Sequence, residues 1–427
     1  MMRPATLAWA YARTRLLYRW LSSRERIERW QRSRLAGFRR HAVEHIAFYR
    51  EFGDAPLSAF PIVGKQEVMT RFEDFNRIGL TAAQMWTMVD CGEAPAGYDA
   101  GCSTGTSGNR GLYLVSDQER FVWLGTIVAK ALPLSLRRPH RVAIVLPRTS
   151  RLYEAANESK LIKLLFVDLR HGLAAAGEAL TAFQPTVIVA PPKVLRWFAE
   201  NDIAISPRLM FSSAEVLDPP DRAVIEQRFD LKLREIYMAT EGLFGVSCEH
   251  GTLHLAEDVV HFEFEPVSGA PDLVTPIVTD FTRRTQMMAR YRMNDLLRLD
   301  GNRCACGSAM QAVAEIIGRR DDAFLLPNRD QAGSAVLLTP DVLRNTVLAA
   351  DRSIDDFRIW QTGENDIVIV LPVHVSRDAG ELARAMVVQA CTRVDASPVV
   401  DVQHAPLQPQ TDTKLRRVEN RWKRAGS

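Results

Sequence analysis

The strongest constraint on how this chain can fold is a rhythm. Between about residues 110 and 300, short apolar runs bounded by Pro, Gly and Ser alternate with stretches of helical period. Residues 141–146 (RVAIVL), 186–190 (TVIVA), 209–211 (LMF) and 231–237 (LKLREIY) read as strands. Pro191-Pro192 opens a helix through Trp197, and a further helix is predicted around residues 221–229. Such alternation predicts an α/β core, a sheet flanked by helices, with ligands at the loops that follow the strand ends.

After Gly318 the texture changes. Residues 357–361 and 366–371 read as a hairpin, 378–392 as a helix and 399–404 as a strand, which makes a small α+β unit. A chain of 427 residues accommodates this division. The predicted organisation is therefore a basic helical front over 1–60 packed on the main domain, a large domain over 61–320 and a small mobile domain over 321–427.

Residues 1–50 hold twelve arginines and three glutamates, although the whole chain carries a net charge of only +3. Leu16, Leu17, Trp20, Leu21, Ile27, Trp30, Leu35 and Phe38 recur at helical intervals among them. A basic amphipathic helix can lie on a membrane or bind nucleic acid. The plainer expectation is that this apolar stripe packs on the main domain and the arginines are solvated, with no nucleic-acid partner. No window reaches the eighteen or so apolar residues of a membrane span. Six cysteines, two of them one residue apart, suit a reducing cytoplasm better than a disulfide framework.

Three loops hold the polar residues that chemistry requires. Cys102-Ser103-Thr104-Gly105-Thr106-Ser107-Gly108-Asn109-Arg110-Gly111 precedes a strand over 112–116. Its glycines permit close backbone approach, and its amides and hydroxyls can converge on an anion. A phosphate cradle and a ligand-free surface turn are both open readings of this stretch alone, and it has neither the P-loop nor the dinucleotide spacing. Ser213-Ala214-Glu215 and Thr240-Glu241 also follow strands, so the three loops can face one another.

Taken together, these stretches resemble the adenylate-forming superfamily, and within it the phenylacetate–CoA ligase branch and its deazaflavin-coenzyme adenylyltransferase relatives. The loop is similar to that family's S-S-G-T-T-G-K-P. Ile236-Tyr237-Met238-Ala239-Thr240-Glu241 resembles Y-G-x-[ST]-E, Tyr291-Arg292-Met293-Asn294-Asp295-Leu296 resembles Y-R-T-G-D-L, and Gly318-Arg319-Arg320-Asp321-Asp322 resembles G-R-x-D-D. His45-Ile46-Ala47-Phe48-Tyr49-Arg50 is similar to the branch's H-x-P-F-Y-R. Five matches in the right order over most of the chain are far more specific than any one of them.

The resemblance implies an enzyme that uses ATP and Mg²⁺ to convert a carboxylic acid, aryl acids included, to an acyl-adenylate with release of pyrophosphate. Transfer of the acyl group to coenzyme A would follow. It implies that Ser103, Thr104, Gly105, Thr106, Ser107 and Gly108 cover the phosphates and that Tyr237 lies against adenine. By the same resemblance Thr240 reaches phosphate, Glu241 binds Mg²⁺, Asp295 accepts the ribose hydroxyls, and Ala214, Glu215 and Arg319 border the nucleotide. Lys414 matches the catalytic lysine near the C-terminus, where an ammonium would stabilise charge gathering on the α-phosphate. The small domain would rotate about Asp321. Asn109 stands where the family has lysine, with Arg110 one residue later to supply the charge. Asn294 replaces a glycine and is expected to keep φ > 0 there. Other acceptors, a coenzyme hydroxyl or a carrier-protein thiol, stay open, as does a nucleotide-binding protein without turnover. The acyl pocket is expected near Tyr153 and residues 211–213.

Cysteines supply a separate signal. Cys304-Ala305-Cys306, continuing to Gly307 as in the C-x-C-G of related ligases, can join Cys248 and His254 in a four-ligand site for a structural Zn²⁺; His250 is the alternative histidine.

Overall fold

The computed structural model describes residues 3–103, 110–132, 139–146, 162–407 and 414–422. The basic front forms two helices, α1 (Arg3–Trp20) and α2 (Arg24–His45). Ser23 separates them, its side chain accepting from the Arg26 amide to cap α2. Three short helices, α3 (Lys65–Thr70), α4 (Phe72–Phe75) and α5 (Ala82–Asp90), lead to a hairpin of β1 (Tyr98–Cys102) and β2 (Leu112–Ser116) and then to α6 (Asp117–Ala131). Ser116 and Glu119 form a capping box at the start of α6.

Helix α1 lies directly on α6. A Cβ at Gly125 would stand 2.5 Å from the Leu7 carbonyl oxygen, so only glycine lets the two backbones come this close. The expected apolar stripe is buried at Leu21, Ile27 and Phe38, but Leu16 and Trp20 are 66% and 43% exposed. The 100° helical step explains the correction: Ala10, Thr14 and Leu21 share the face turned inward, and Leu16 and Trp20 fall on another.

After α6 the chain runs through β3 (His140–Leu146), β4 (Ile162–Asp168), α7 (Leu173–Phe183), β5 (Val187–Ala190), α8 (Pro192–Glu200), β6 (Leu209–Ser213), α9 (Pro219–Phe229) and β7 (Arg234–Ala239). These strands pair in parallel in the order β4-β3-β5-β6-β7. Their side chains alternate between two cores. Ala143, Val145, Ile188 and Met210 meet α7, α8 and α9, whereas Val142, Ile144, Val187 and Phe211 meet α6. Burial on both faces accounts for the unbroken apolar runs in the sequence.

From β7 onward the pairing becomes antiparallel. Strands β8 (Gly242–Ser247), β9 (Leu253–Leu255), β10 (Val260–Val267), β11 (Ala270–Asp280), β12 (Tyr291–Arg292), β13 (Asp295–Asp300) and β14 (Ala312–Arg319) extend the sheet, which holds twelve strands among the described residues. Helix α2 and the segment after it close this half. Tyr49 is fully buried, and its hydroxyl accepts from the Ala289 amide at 2.7 Å.

The C-terminal unit comprises β15 (Phe324–Pro327), β16 (Ala335–Leu338), α10 (Pro340–Ala350), β17 (Arg358–Gln361), β18 (Asp366–Leu371), α11 (Arg377–Thr392), β19 (Val399–His404) and β20 (Val418–Asn420). Four of its strands form a sheet in the order β19-β18-β17-β20, with β17 and β18 as the expected hairpin. Ile359, Ile367, Ile369, Leu343, Val347, Ala383 and Val387 make its core. The fold class is thus α/β with a small α+β unit. Among the described residues no helix is long and apolar enough to cross a membrane.

Candidate functional site

The strand ends converge on one cavity. Ala214 and Glu215 follow β6, Tyr237 lies in β7, Asp295 begins β13, Arg319 ends β14 and Lys414 lies beyond β19. All six line a cavity of about 190 Å³ between the main sheet and the C-terminal unit. Ala214 adopts φ 72°, a left-handed conformation that costs a residue with a Cβ about 1–3 kcal/mol and clusters at ligand sites.

Asp295 is gripped from two sides. The Tyr237 hydroxyl donates to its Oδ2 at 2.7 Å, and Arg319 stands opposite it in the β13–β14 register. Burial raises the Asp295 pKa, while the Tyr237 hydrogen bond and the charges of Arg319 and Lys414 pull it back down. Lys414 experiences the converse: burial, then Arg319, lower its pKa, and Asp295, Glu215 and Glu241 oppose them. Three carboxylates from separate stretches of the chain therefore favour the charged form of this one ammonium.

Glu215 is held in place by Lys193, 3.1 Å away, and by the Leu415 amide, which donates at 2.8 Å. Burial still raises its pKa. Glu241, in the tight turn between β7 and β8, accepts from the Tyr291 hydroxyl at 3.0 Å. It shares a crevice with Thr240, Gly111 and Lys65.

Sequence reasoning missed Lys65 and Lys193. Lys65 begins α3, and its Nζ would lie 3.6 Å from a Cβ placed on Gly111, at the end of the glycine-rich loop. Burial lowers its pKa, and the Glu241 charge raises it. A lone lysine at a helix start has no periodic signature; only the fold brings it to Glu241. The Pro191-Pro192 pair before Lys193 was the one local hint, because proline opens a helix beside a strand end.

The glycine-rich loop is described at its base only. Ser103 and Gly111 exchange two 2.8 Å hydrogen bonds that close its neck. Thr104, Gly105, Thr106, Ser107, Gly108 and Asn109 lie outside the described residues, as does Tyr153. Arg110 donates to Cys102 Sγ at 2.7 Å, with its guanidinium over the Trp86 ring.

The C-terminal unit is tied to the main domain by charge. Arg417 pairs with Asp218, and with Asp221 at 2.9 Å, and Arg344 pairs with Asp218 at 3.2 Å. At the junction, Asn294 Nδ2 donates to Asp321 Oδ2 at 2.8 Å, and the Arg320 amide donates to the Asn294 carbonyl at 2.7 Å. Asn294 does not take the positive φ expected of it; Arg290, at 52°, is the residue of this stretch that does. Asn294 instead spends its side chain on Asp321, a contact glycine could not make.

Cys248, His254, Cys304 and Cys306 form a second cluster, with donor atoms all within 4.8 Å of one another. His254 Nδ1 lies 3.2 Å from the Met310 carbonyl, so that nitrogen carries the proton and Nε2, 3.3 Å from Cys306 Sγ, is left as an acceptor. The Cys248 and Cys304 sulfurs are 3.7 Å apart, far beyond the roughly 2.0 Å of a disulfide. His250 is exposed and stands apart from the cluster.

No protein-family model matches the chain. It is similar in structure to 2-hydroxyisobutyryl-CoA ligase in the postadenylation state in complex with 2-HIB-AMP. The TM-score is 0.68 at 18% identity, over 93% of this chain and 90% of that one. The fold is that of the adenylate-forming ligases. The same ligase in the thioesterification state, in complex with 2-HIB-AMP and CoA, aligns with a TM-score of 0.52. The amide bond synthetase McbA from Marinactinospora thermotolerans aligns at 0.53 with 15% identity, over 75% of this chain and 68% of that one. Protein CapK of Staphylococcus aureus is 23% identical over 216 residues, which is 48% of this chain and 46% of CapK. The match thus spans less than half the length of that curated relative.

Proposed function

We propose that this chain activates a carboxylic acid with ATP, forming an acyl-adenylate and pyrophosphate, and then transfers the acyl group to the thiol of coenzyme A. The observation that carries the reading is Lys414, half-buried in one cavity with Asp295, Glu215 and Tyr237. Attack of a carboxylate on an α-phosphate gathers negative charge between two anions, and a pre-positioned ammonium stabilises it. Asp295, oriented by the Tyr237 hydroxyl, is suited to accept two ribose hydroxyls. Thr240 and the glycine-rich loop, Ser103 to Gly108, would meet the phosphates, and Ala214, Glu215 and Arg319 would border the nucleotide.

Glu241 fits Mg²⁺, because Tyr291 fixes its carboxylate beside the Gly111 end of the loop and phosphate oxygens can complete a magnesium shell. Bound there, the ion would neutralise charge on the polyphosphate. The four soft donors of Cys248, His254, Cys304 and Cys306 fit tetrahedral Zn²⁺, with His254 held by the Met310 carbonyl in the manner of a metal-ligating histidine. Such a closed site would staple the loop after β8 to the segment before β14 and take no part in acyl transfer.

An apolar cavity of about 80 Å³ adjoins the nucleotide cavity and shares Ile236 and Met238 with it. Ile144, Val189, Phe211 and Ser213 also line it, which suits a largely hydrocarbon acyl group. The phenylacetate–CoA ligase branch rests on the resemblance to H-x-P-F-Y-R of the His45–Arg50 segment, whose Tyr49 ties the front to the segment before β12. The chain aligns better with the postadenylation form of 2-hydroxyisobutyryl-CoA ligase than with its thioesterification form, and in this reading the C-terminal unit would rotate about Asp321 between two such arrangements.

Pyrophosphate release across a panel of aliphatic and aryl acids, with and without coenzyme A and with mass analysis of the product, tests the proposal. Acid-dependent pyrophosphate followed by an acyl-CoA product supports it. ATP binding without pyrophosphate release for any acid overturns it, and acylation of another acceptor overturns the coenzyme A step alone.

A further inference from the structure

Helix α1 is docked by one face and bare on another. Its inner side is committed to α6: Ala10, Thr14 and Leu21 are buried, Thr14 Oγ1 reaches Thr126 Oγ1, and Gly125 admits the Leu7 backbone. The exposure of its other face therefore does not come from a helix that failed to pack.

That outer face carries a row of three large apolar side chains interrupted by Arg13. Trp9, Leu16 and Trp20 are 56%, 66% and 43% exposed, and their spacing sets them in one line with Arg13 between Trp9 and Leu16. Trp20 meets Trp30 of α2 edge to face, and the guanidiniums of Arg13 and Arg34 lie over the Trp30 ring. Arg13 also covers Trp9. Arg19 is exposed beside this line, as is Arg26, which donates to the Trp20 carbonyl at 3.2 Å; further along α2, Arg32 is exposed and Arg29 pairs with Glu25. Water is a poor partner for two tryptophans and a leucine held in a row, and soluble surfaces rarely keep such a row without an occupant.

We infer that α1 and the start of α2 form a docking face for an anionic lipid bilayer, the chain lying on the membrane surface. Tryptophan is at home in the interfacial layer, where its ring is apolar and its N–H stays wet, and the surrounding arginines complement lipid phosphates. The charge disfavours a second copy as the occupant. Residues 1–50 carry twelve arginines against three glutamates, so two such faces brought together would repel. Acidic headgroups would be attracted by the same charge.

Flotation of the full chain with vesicles tests this. Vesicles of phosphatidylcholine with phosphatidylglycerol are compared with phosphatidylcholine alone, at low and high salt. Binding to the anionic vesicles that weakens with salt is expected. The combined variant Trp9→Ala, Leu16→Ser, Trp20→Ala also removes the Trp20–Trp30 edge contact and the Arg13–Trp9 stack, so its circular dichroism should match the parent with only a small fall in thermal midpoint; its vesicle partitioning should fall about tenfold or more. The inference fails if the parent ignores anionic vesicles at low salt. It fails equally if the variant floats as well as the parent, or if the parent is a dimer in solution that the variant dissociates.

Discussion

The Leu415 amide donates a 2.8 Å hydrogen bond to Glu215 Oε1 across two hundred positions of sequence. This bond seats the segment carrying Lys414 on the loop after β6, and the same carboxylate neutralises buried Lys193 at 3.1 Å. Replacing Glu215 with Gln would remove the carboxylate that pairs with the Lys193 ammonium and accepts from the Leu415 amide. The expected loss of folding stability is about 3 kcal/mol by chemical denaturation, with adenylation lowered more than thioester formation. Unchanged stability would show that the pair is solvated in solution.

Lys414→Ala is expected to slow acid-dependent pyrophosphate release by about 10²–10³-fold, the usual effect of removing one pre-positioned donor from a developing charge. Coenzyme A capture of a supplied acyl-adenylate should change little. Burial beside Arg319 lowers the Lys414 pKa, so its charged form is lost earlier on the alkaline side than that of a free lysine. The falling limb of the pH–rate profile should accordingly begin below the ordinary lysine range. Lys414→Arg should move that limb upward, and a limb that stays put would assign it to another group.

Tyr237→Phe removes the hydroxyl that orients Asp295 and little else, since the ring packs on Phe244 in the core. We expect KM for ATP to rise about tenfold, the equivalent of one hydrogen bond to a charged group, with kcat nearly preserved. Steady-state kinetics at varied ATP decides this; a change confined to kcat would place Asp295 away from the ribose.

Lys65 offers a cation beside Gly111 in a chain whose glycine-rich loop has Asn109 where related loops have lysine. Lys65→Ala should cut adenylation about 10²-fold, and adding Asn109→Lys should restore part of the loss. Absence of any rescue would argue that the two positions do not serve the same phosphate.

Metal analysis of the purified protein should find about one zinc per chain. Cys304→Ser should lower both the zinc content and the thermal midpoint while leaving KM for ATP nearly unchanged. A metal-free parent of undiminished stability would sink the assignment.

The alternation of strand and helix, the positions of β5 to β7, the β17–β18 hairpin and helix α11 were all legible from apolar period and turn residues. Those signals depend on neighbours a few positions away, so one dimension suffices to read them. The family resemblance singled out Tyr237, Asp295, Arg319 and Lys414, four residues that line one cavity, and Glu241, which lies in a separate crevice. The antiparallel half of the sheet was not legible. Its strands pair segments whose sequence separation varies widely, as when Ala312 meets His254, and no local pattern encodes a register. Which side of α1 turns outward was decided by Gly125 on a helix more than a hundred residues away, and the arrival of Lys65 at Glu241 by the path of α3. Local composition sets each element's kind. Only packing, which depends on every element at once, sets which side chains share a cavity.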